Sequence, residues 1–415
     1  MVTKDTNFYQ GYTPQALIEK FGSPLYVYNE QILRNQCKNI MALCKYPHYR
    51  ANYAMKANTN ISLMSIIREE GLYVDVSSIG EAICAQAAGY APQQMLFIVN
   101  GISATEMQQI IDMGAVLCVD SISQLLTYAQ LNPGGEVALR FNPGVGGGHH
   151  ANVVTGGDGT KFGITPEHIP RVHEILLAHK LQLIGITHHI GSQNWGDVYM
   201  QGVHAILKIA QQFKGLKFID LGGGFATPYH KQDGEGPMDL VAFGSALDTV
   251  LFEFAAKYGD EIMFIVEPGR YIAAECGVLL GTANATKQNG AIKYVGTDLG
   301  FSVFARTTLY SSHHDIEVYQ KNTIDIDNKT EVVSIVGNQC ESGDYIAKNR
   351  SLPLISVGDI VGVLDAGAYG YSMASNYNHR PRPAEVLITC AGEVKLIRRS
   401  DTLEDMIRNM KDCYV

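Results

Sequence analysis

A chain of 415 residues is longer than one ordinary hydrophobic core serves, so two domains are expected, and 46% hydrophobic with 18% charged residues excludes a disordered chain. A net charge of −9 without a Lys/Arg stripe argues against a nucleic-acid partner, and no apolar run approaches the ~18 residues of a membrane span. The opening Met1-Val2-Thr3-Lys4-Asp5-Thr6 lacks a signal-peptide pattern, and the eight cysteines form no Cys-x-x-Cys pair, so no metal and a cytoplasmic, reducing setting are expected.

In chain order, Ser23-Pro24-Leu25-Tyr26-Val27-Tyr28 reads as a strand with no crossover helix before it, expected to pair into a later β-domain. Eight short β-prone runs follow: Arg50–Met55, Tyr73–Val76, Met95–Val99, Leu117–Val119, Glu136–Phe141, Leu183–His189, Phe218–Leu221 and Met263–Val266. Segments such as Ile61–Glu70, Ile79–Ala88 and Gln193–Phe213 lie between them and are long enough for crossover helices. Strand alternating with helix implies an α/β fold with a parallel sheet. Eight such units fit a (β/α)8 barrel of the TIM type, whereas a doubly wound open sheet does not require eight. Past residue 275 the texture changes. Val278–Thr282, Ile292–Asp298, Glu331–Val336, Asp359–Leu364, Ala384–Thr389 and Val394–Arg398 predict a second, mostly antiparallel β-domain. Thr402–Met410 has a helical pattern and is expected to dock as a closing helix. The predicted organisation is a segment 1–35 joining the β-domain, a barrel over 36–274 and a β-domain over 275–415.

In a barrel of this type, unusual residues at strand C-termini mark the active site. Lys56, in Tyr53-Ala54-Met55-Lys56-Ala57-Asn58, follows the first run, where desolvation would make its amine a nucleophile able to form a Schiff base; a solvated surface lysine is the plainer reading. His189, Gly191 and Ser192 close the sixth run, Gly222-Gly223-Gly224 follows the seventh, and Glu267-Pro268-Gly269-Arg270 follows the eighth. A glycine run alone can be a tight turn. Two adjacent glycine-bearing loops after strands seven and eight make a phosphate cradle. Alone, Glu267 reads as an ion-paired carboxylate and His189 as a core imidazole; beside an imine-forming lysine and a phosphate site, Glu267 is expected to pair with the pyridine nitrogen of pyridoxal phosphate, leaving His189 to stack on the ring and Ser192 to bond near the phosphate. Further along, Cys340-Glu341-Ser342-Gly343-Asp344 is too polar for a plain core strand, and Asp365-Ala366-Gly367-Ala368-Tyr369-Gly370-Tyr371 sets glycines on both sides of a tyrosine hydroxyl.

These landmarks, in this order and over nearly the whole chain, resemble the fold-type III pyridoxal-phosphate decarboxylases, and within them the diaminopimelate decarboxylase family. The resemblance implies that Lys56 holds the cofactor, that His189 stacks on it and that Glu267 pairs with its nitrogen. It implies that Gly222, Gly223, Gly224, Gly269, Arg270 and Tyr369 surround the phosphate, with Arg270 and Tyr369 also facing substrate. Arg306 and Tyr310 match the family's distal substrate-binding pair, and Glu341 would take the distal ammonium. It further implies a homodimer with shared active sites, in which Cys340 and Glu341 reach the partner's barrel and Cys340 returns a proton to Cα. Lys161 and Asp344 match a pair that bridges subunits. The activity implied is decarboxylation of meso-diaminopimelate to L-lysine and CO2, the last step of lysine biosynthesis. An ornithine, lysine or polyamine-precursor decarboxylase is the nearest rival, with a silent binding homologue or a racemase further off. Two departures touch the distal pocket: Thr307 stands where the family has proline after the arginine, and Gly337-Asn338-Gln339 replaces the commoner run before the cysteine.

Overall fold

The computed structural model describes residues 2–147, 155–157, 159–193, 196–259, 261–321, 329–411 and 413. The chain divides into two units, each assembled from separate pieces: Arg34–Thr227 with Pro237–Ile272, and Met1–Leu33 with Pro228–Gly236 and Ala273–Val415.

The chain enters through β1 (Leu25–Asn29), all five residues of which are buried. The next eight strands close a parallel barrel: β2 (Tyr49–Ala54), β3 (Tyr73–Val76), β4 (Met95–Ile98), β5 (Val116–Val119), β6 (Glu136–Arg140), β7 (Gln182–Thr187), β8 (Phe218–Asp220) and β9 (Met263–Val266). Closure is made by β9 pairing with β2, Tyr49 opposite Phe264. The barrel and the second sheet are the architecture expected, with strand ends displaced by a residue or two. Four successive crossover helices begin on a side-chain cap: Asn60 accepts from Ser62 N–H, Ser78 from Glu81, Ser103 from Glu106 and Ser121 from Gln124. Each cap satisfies an amide the helix cannot, worth about 1 kcal/mol, and pins the loop leaving the preceding strand.

In the other unit β10 (Gly277–Asn289), β11 (Ile292–Thr297), β12 (Ile316–Tyr319), β13 (Thr330–Val336), β14 (Tyr345–Pro353), β15 (Ile360–Val363), β16 (Ala384–Ile388) and β17 (Val394–Arg398) join β1 in a nine-stranded sheet. Its path runs β14-β13-β11-β10-β1-β16-β17, with β15 pairing β10 and β12. β1 is antiparallel to β10 and parallel to β16. Leu25, Val27, Val278, Leu280, Ile360, Val386 and Ile388 form its core with Phe8 and Leu17. Segment Pro228–Gly236, although it follows β8, is anchored in this unit: Lys231 Nζ lies 2.7 Å from both Glu275 and Asp365, and the Gln232 N–H donates to Asp315. Strands β12 and β14 have no counterpart in the sequence expectation. The closing helix corrects it differently: Leu403–Lys411 forms but buries none of its residues. Its start is held by polar contacts instead, Asp405 accepting from Thr402 and pairing with Arg399. Among the described residues no helix is long and apolar enough to cross a membrane.

Candidate active site

Leu96, Cys118, Ala138, Ile184, Phe218 and Ile265 come from six successive strands and pack into one cluster, which fixes the direction of the barrel interior. Strand residues two apart share a face. Ala138, Phe218 and Ile265 therefore put Arg140, Asp220 and Glu267 on the same interior side, one layer nearer the strands' C-terminal ends. The apolar floor is thus topped by a charged layer, at the end of the barrel where such folds carry chemistry.

Lys56 sits in the short 3-10 turn Met55–Ala57 directly after β2. Its Nζ is 3.8 Å from Asp75 Oδ2, and the side chain is 47% exposed while that of Asp75 is only 2%. Burial of the lysine, the reason offered for its reactivity, is therefore not its state; the buried partner is the carboxylate. Burial pushes the Asp75 carboxyl up, against the pull of Lys56 and Arg140. Glu267, 6% exposed, is held well above the ordinary carboxylate range by burial and then by Asp220 and Asp75. Asp220 itself is pushed up to about 7 by burial, with Asp75 adding to it. One observation tests this cluster in the pyridoxal-phosphate-free protein. The neutral form of Asp220 is the one the fold favours, so its contribution is complete below its ordinary value of 3.8 and lost as pH rises through about 7. Asp220→Asn keeps an acceptor for the Gly222 N–H, so its thermal midpoint is expected to match the parent's at pH 4 and exceed it at pH 8. A parent-to-variant difference that does not change with pH would contradict the assignment.

His189 is half-buried, and its Nδ1 accepts the Gly223 N–H at 3.1 Å. A ring nitrogen that accepts carries no proton, so the imidazole is neutral, in line with desolvation and then Lys56 and Arg140 driving its pKa well below the usual value. The Gly222 N–H donates to Asp220 Oδ1 at 2.8 Å, and the Glu267 N–H to Gly222 O at 2.9 Å. Gly223 has to be glycine: a Cβ there would stand 2.1 Å from Glu267 O. Thus the first two glycines after β8 are spent on positioning His189, Asp220 and Glu267. Ser192 is half-buried beside Gln193, whose amide clasps the Thr227 backbone in both directions at 2.8 Å. Gly269 and Arg270 are buried after β9.

The remaining candidates belong to the β-rich unit. Cys340 and Glu341 are exposed between β13 and β14, gripped by the turn that follows Asn376. Asn378 Oδ1 accepts the Cys340 N–H at 3.0 Å, which turns its Nδ2 toward Cys340 Sγ at 3.1 Å. The Tyr377 hydroxyl donates to Glu341, and Arg380 Nη2 to Asn338 O. Accepting Glu341 pushes the Tyr377 hydroxyl up to about 12. Asp344 is buried and accepts Phe301 and Gln339 N–H groups at 2.7 and 2.8 Å, so it organises its own loop; Lys161, its expected partner across subunits, is exposed. Arg306, 1% exposed, starts the helix Arg306–Leu309, and the Tyr310 N–H closes that helix on Arg306 O. Tyr369 takes a left-handed φ of 57° beside Gly367, where a Cβ would stand 1.9 Å from Ala273 O. His230, Asp233 and His313 bring metal-type donors within 4.8 Å of one another, but Arg350 donates to His313 Nδ1 at 3.2 Å and sets a cation against them. Of the loop Val145–Thr160, residues 148–154 and 158 lie outside the described residues.

Asp75, Arg140, Asp220, Tyr377 and Asn378 are the members of these two clusters to which motif reading gives no role, although Asn376-Tyr377-Asn378 stands out in the sequence as a polar run after the tyrosine loop. Three of them carried a signal: a charged residue at or next to the C-terminal end of a barrel strand.

Residues 31–274 match the family model described as "Pyridoxal-dependent decarboxylase, pyridoxal binding domain". The chain is 37% identical to the diaminopimelate decarboxylase of Methanothermobacter thermautotrophicus over 402 residues, covering 94% of this chain and 92% of that protein. It is 34% identical to that of Escherichia coli over 401 residues, covering 94% of each. The solved diaminopimelate decarboxylase of Helicobacter pylori complexed with L-lysine is similar at a TM-score of 0.86 and 29% identity, covering 97% of this chain and 100% of that one. A lysine/ornithine decarboxylase from Vibrio vulnificus complexed with putrescine, at 0.77 and 20% identity over 91% and 97%, shares the fold. Likeness along the full length, with a pyridoxal-binding match spanning the barrel that carries Lys56, His189 and Glu267, makes the chain a member of the diaminopimelate decarboxylase family of pyridoxal-dependent decarboxylases.

Proposed function

We infer that the protein converts meso-2,6-diaminopimelate to L-lysine and CO2 with pyridoxal phosphate, as a homodimer whose sites draw on both chains. The observation that carries the cofactor's place is Glu267, a buried carboxyl beside Asp220 in the same barrel end as Lys56, raised well above the ordinary carboxylate range by burial and by that neighbour. A buried carboxyl with its proton affinity raised by burial and by Asp220 fits a basic ring nitrogen. Bound pyridoxal phosphate supplies the electron sink for the charge left at Cα.

The chain's own residues then divide the work. Lys56 Nζ anchors the cofactor, and the buried Asp75 beside it has a raised proton affinity, which eases the passage of a proton from the ammonium when a free amine is needed. Glu267 holds a proton at the ring nitrogen, and His189, neutral and pinned through Nδ1, offers a flat face to the ring. Ser192, Gly222, Gly223, Gly224, Gly269, Arg270 and Tyr369 enclose the phosphate, Gly222 and Gly223 by shaping the turn. Cys340 and Glu341 serve the partner's barrel, the thiol returning a proton to Cα and the carboxylate taking the distal ammonium; Lys161 and the partner's Asp344 join the chains. Eight cysteines outside any disulfide suit a reducing cytoplasm.

Arg306 decides the substrate. Lysine or ornithine needs only an acid at its far end, whereas diaminopimelate carries a second carboxylate and needs a cation as well. Arg306 with Tyr310 and Glu341 supplies that set. Arg306→Ala is expected to lower kcat/KM for diaminopimelate by roughly 10–100-fold, the worth of a hydrogen bond to a charged group, and to leave any turnover of lysine or ornithine nearly unchanged. Side-by-side assays of the three substrates decide it. Equal losses on all three, or a parent that prefers lysine or ornithine, would reject the assignment.

A further inference from the structure

We infer that His314 is the positioning residue that aims Arg306, and so sets the enzyme's preference for a substrate with a second carboxylate. The inference rests on the role given above to Arg306.

Arg306 Nε donates to His314 Nε2 at 3.1 Å, and both residues are buried. On the other side of the ring His314 Nδ1 lies 2.7 Å from Leu364 O. A carbonyl oxygen only accepts, so Nδ1 carries the hydrogen and Nε2 presents a lone pair. The arginine N–H requires that same tautomer. The two neighbours therefore fix the protonation state between them, and the imidazole is a neutral acceptor. The ring is held edge-on against Phe304, with centroids 4.7 Å apart at 80°, and against Tyr229 at 4.8 Å and 66°. Tyr229 also lies under the guanidinium, 5.2 Å from its Cζ. Its own backbone N–H is tied to Glu235 at 2.7 Å.

Arg306 thus has one edge hydrogen-bonded and one face stacked, and each of those partners is itself fastened. The rotamer freedom an arginine gives up on binding is given up here at folding. Because Nε is committed to His314, a ligand carboxylate is not met side-on through Nε. A substrate with hydrogen in place of the second carboxylate gains nothing from this arrangement.

The test uses three variants of the full chain, loaded with pyridoxal phosphate. In H314Q the amide oxygen reaches the position of Nε2 and can still accept from Arg306. H314N places a donor near Leu364 O but no acceptor at Arg306, and H314M fills the space with neither. H314Q is expected to hold KM for diaminopimelate within about threefold of the parent. H314N and H314M are expected to raise it at least ~10-fold with a smaller change in kcat. Thermal midpoints are recorded for all three, and the acceptor-less variant that folds is the one compared. Parent-like KM in an acceptor-less variant, or equal impairment in H314Q and H314M, would overturn the inference. Arg306→Ala separates the two readings: if it leaves KM for diaminopimelate unchanged, the role of Arg306 fails; if it raises KM and H314M does not, only His314 fails.

Discussion

Lys56→Ala is expected to lower kcat/KM on the order of 10⁴-fold while leaving the fold intact. The stability half of that expectation comes from geometry. The Lys56 side chain is 47% exposed, and its ion pair to Asp75 is 3.8 Å long. With the lysine half in water the pair adds little to stability, and the buried Asp75, already pushed up by burial, can answer the loss by keeping a proton. The loss of rate is therefore chemical. Lys56→Arg sharpens it, since a guanidinium restores a cation beside Asp75 but cannot act as a nucleophilic amine. Both variants are expected to be equally inactive. Borohydride treatment of the parent is expected to fix pyridoxal phosphate on the peptide containing Lys56, and on no peptide of either variant. A Lys56→Ala protein that turns over, or a label found elsewhere, would remove Lys56 from the mechanism.

The second large effect concerns two chains. Lys56→Ala and Cys340→Ala are each expected to be nearly inactive alone, and a mixture of the two to regain activity after dissociation and reassembly. If Cys340 serves the partner's barrel, a mixed dimer has one site with both defects and one with neither. Random reassortment of equal amounts makes half the dimers mixed, so about one quarter of the parent activity should return. The well-tethered geometry of Cys340, bound through both backbone and sulfur by Asn378, makes that loop a defined tooth to be presented. No recovery would place Cys340 on its own chain's site or outside catalysis. A fully active Cys340→Ala protein would deny it the proton transfer altogether.

The barrel was legible because strands buried on both faces read as near-continuous apolar runs, as in Val116–Val119 and Met263–Val266. β14 was not, since Lys348, Asn349, Arg350 and Ser351 sit in its middle; it ends the sheet path, where polar residues and charges are tolerated. β12 has only four residues, one of them Glu317, buried against Thr3 and Tyr319. No local pattern announces a carboxylate whose partner Thr3 lies 314 residues away. The same reason separates what was seen of the site from what was missed. Lys56 and Glu267 stand in recognisable motifs, and Arg306 in a recognisable neighbourhood. Asp75 and Asp220 are single acids inside apolar strands, and the hold of Asn378 on Cys340 exists only once two distant loops meet.

The position of β1 bears on how the protein is made. Leu25 pairs with Leu280 on one side and Ala384 on the other, so the first strand to leave the ribosome is the middle of a sheet whose neighbours come last. About 360 residues separate Leu25 from Ala384, on the order of 20 to 70 s of synthesis at 5–20 residues per second. Until Leu280 is made, about 255 residues after Leu25, a strand buried at every position in the finished protein has neither flank covered, and its β16 flank stays open until Ala384 follows. Misassociation of a nascent chain is accordingly expected to begin around β1 rather than at the growing end.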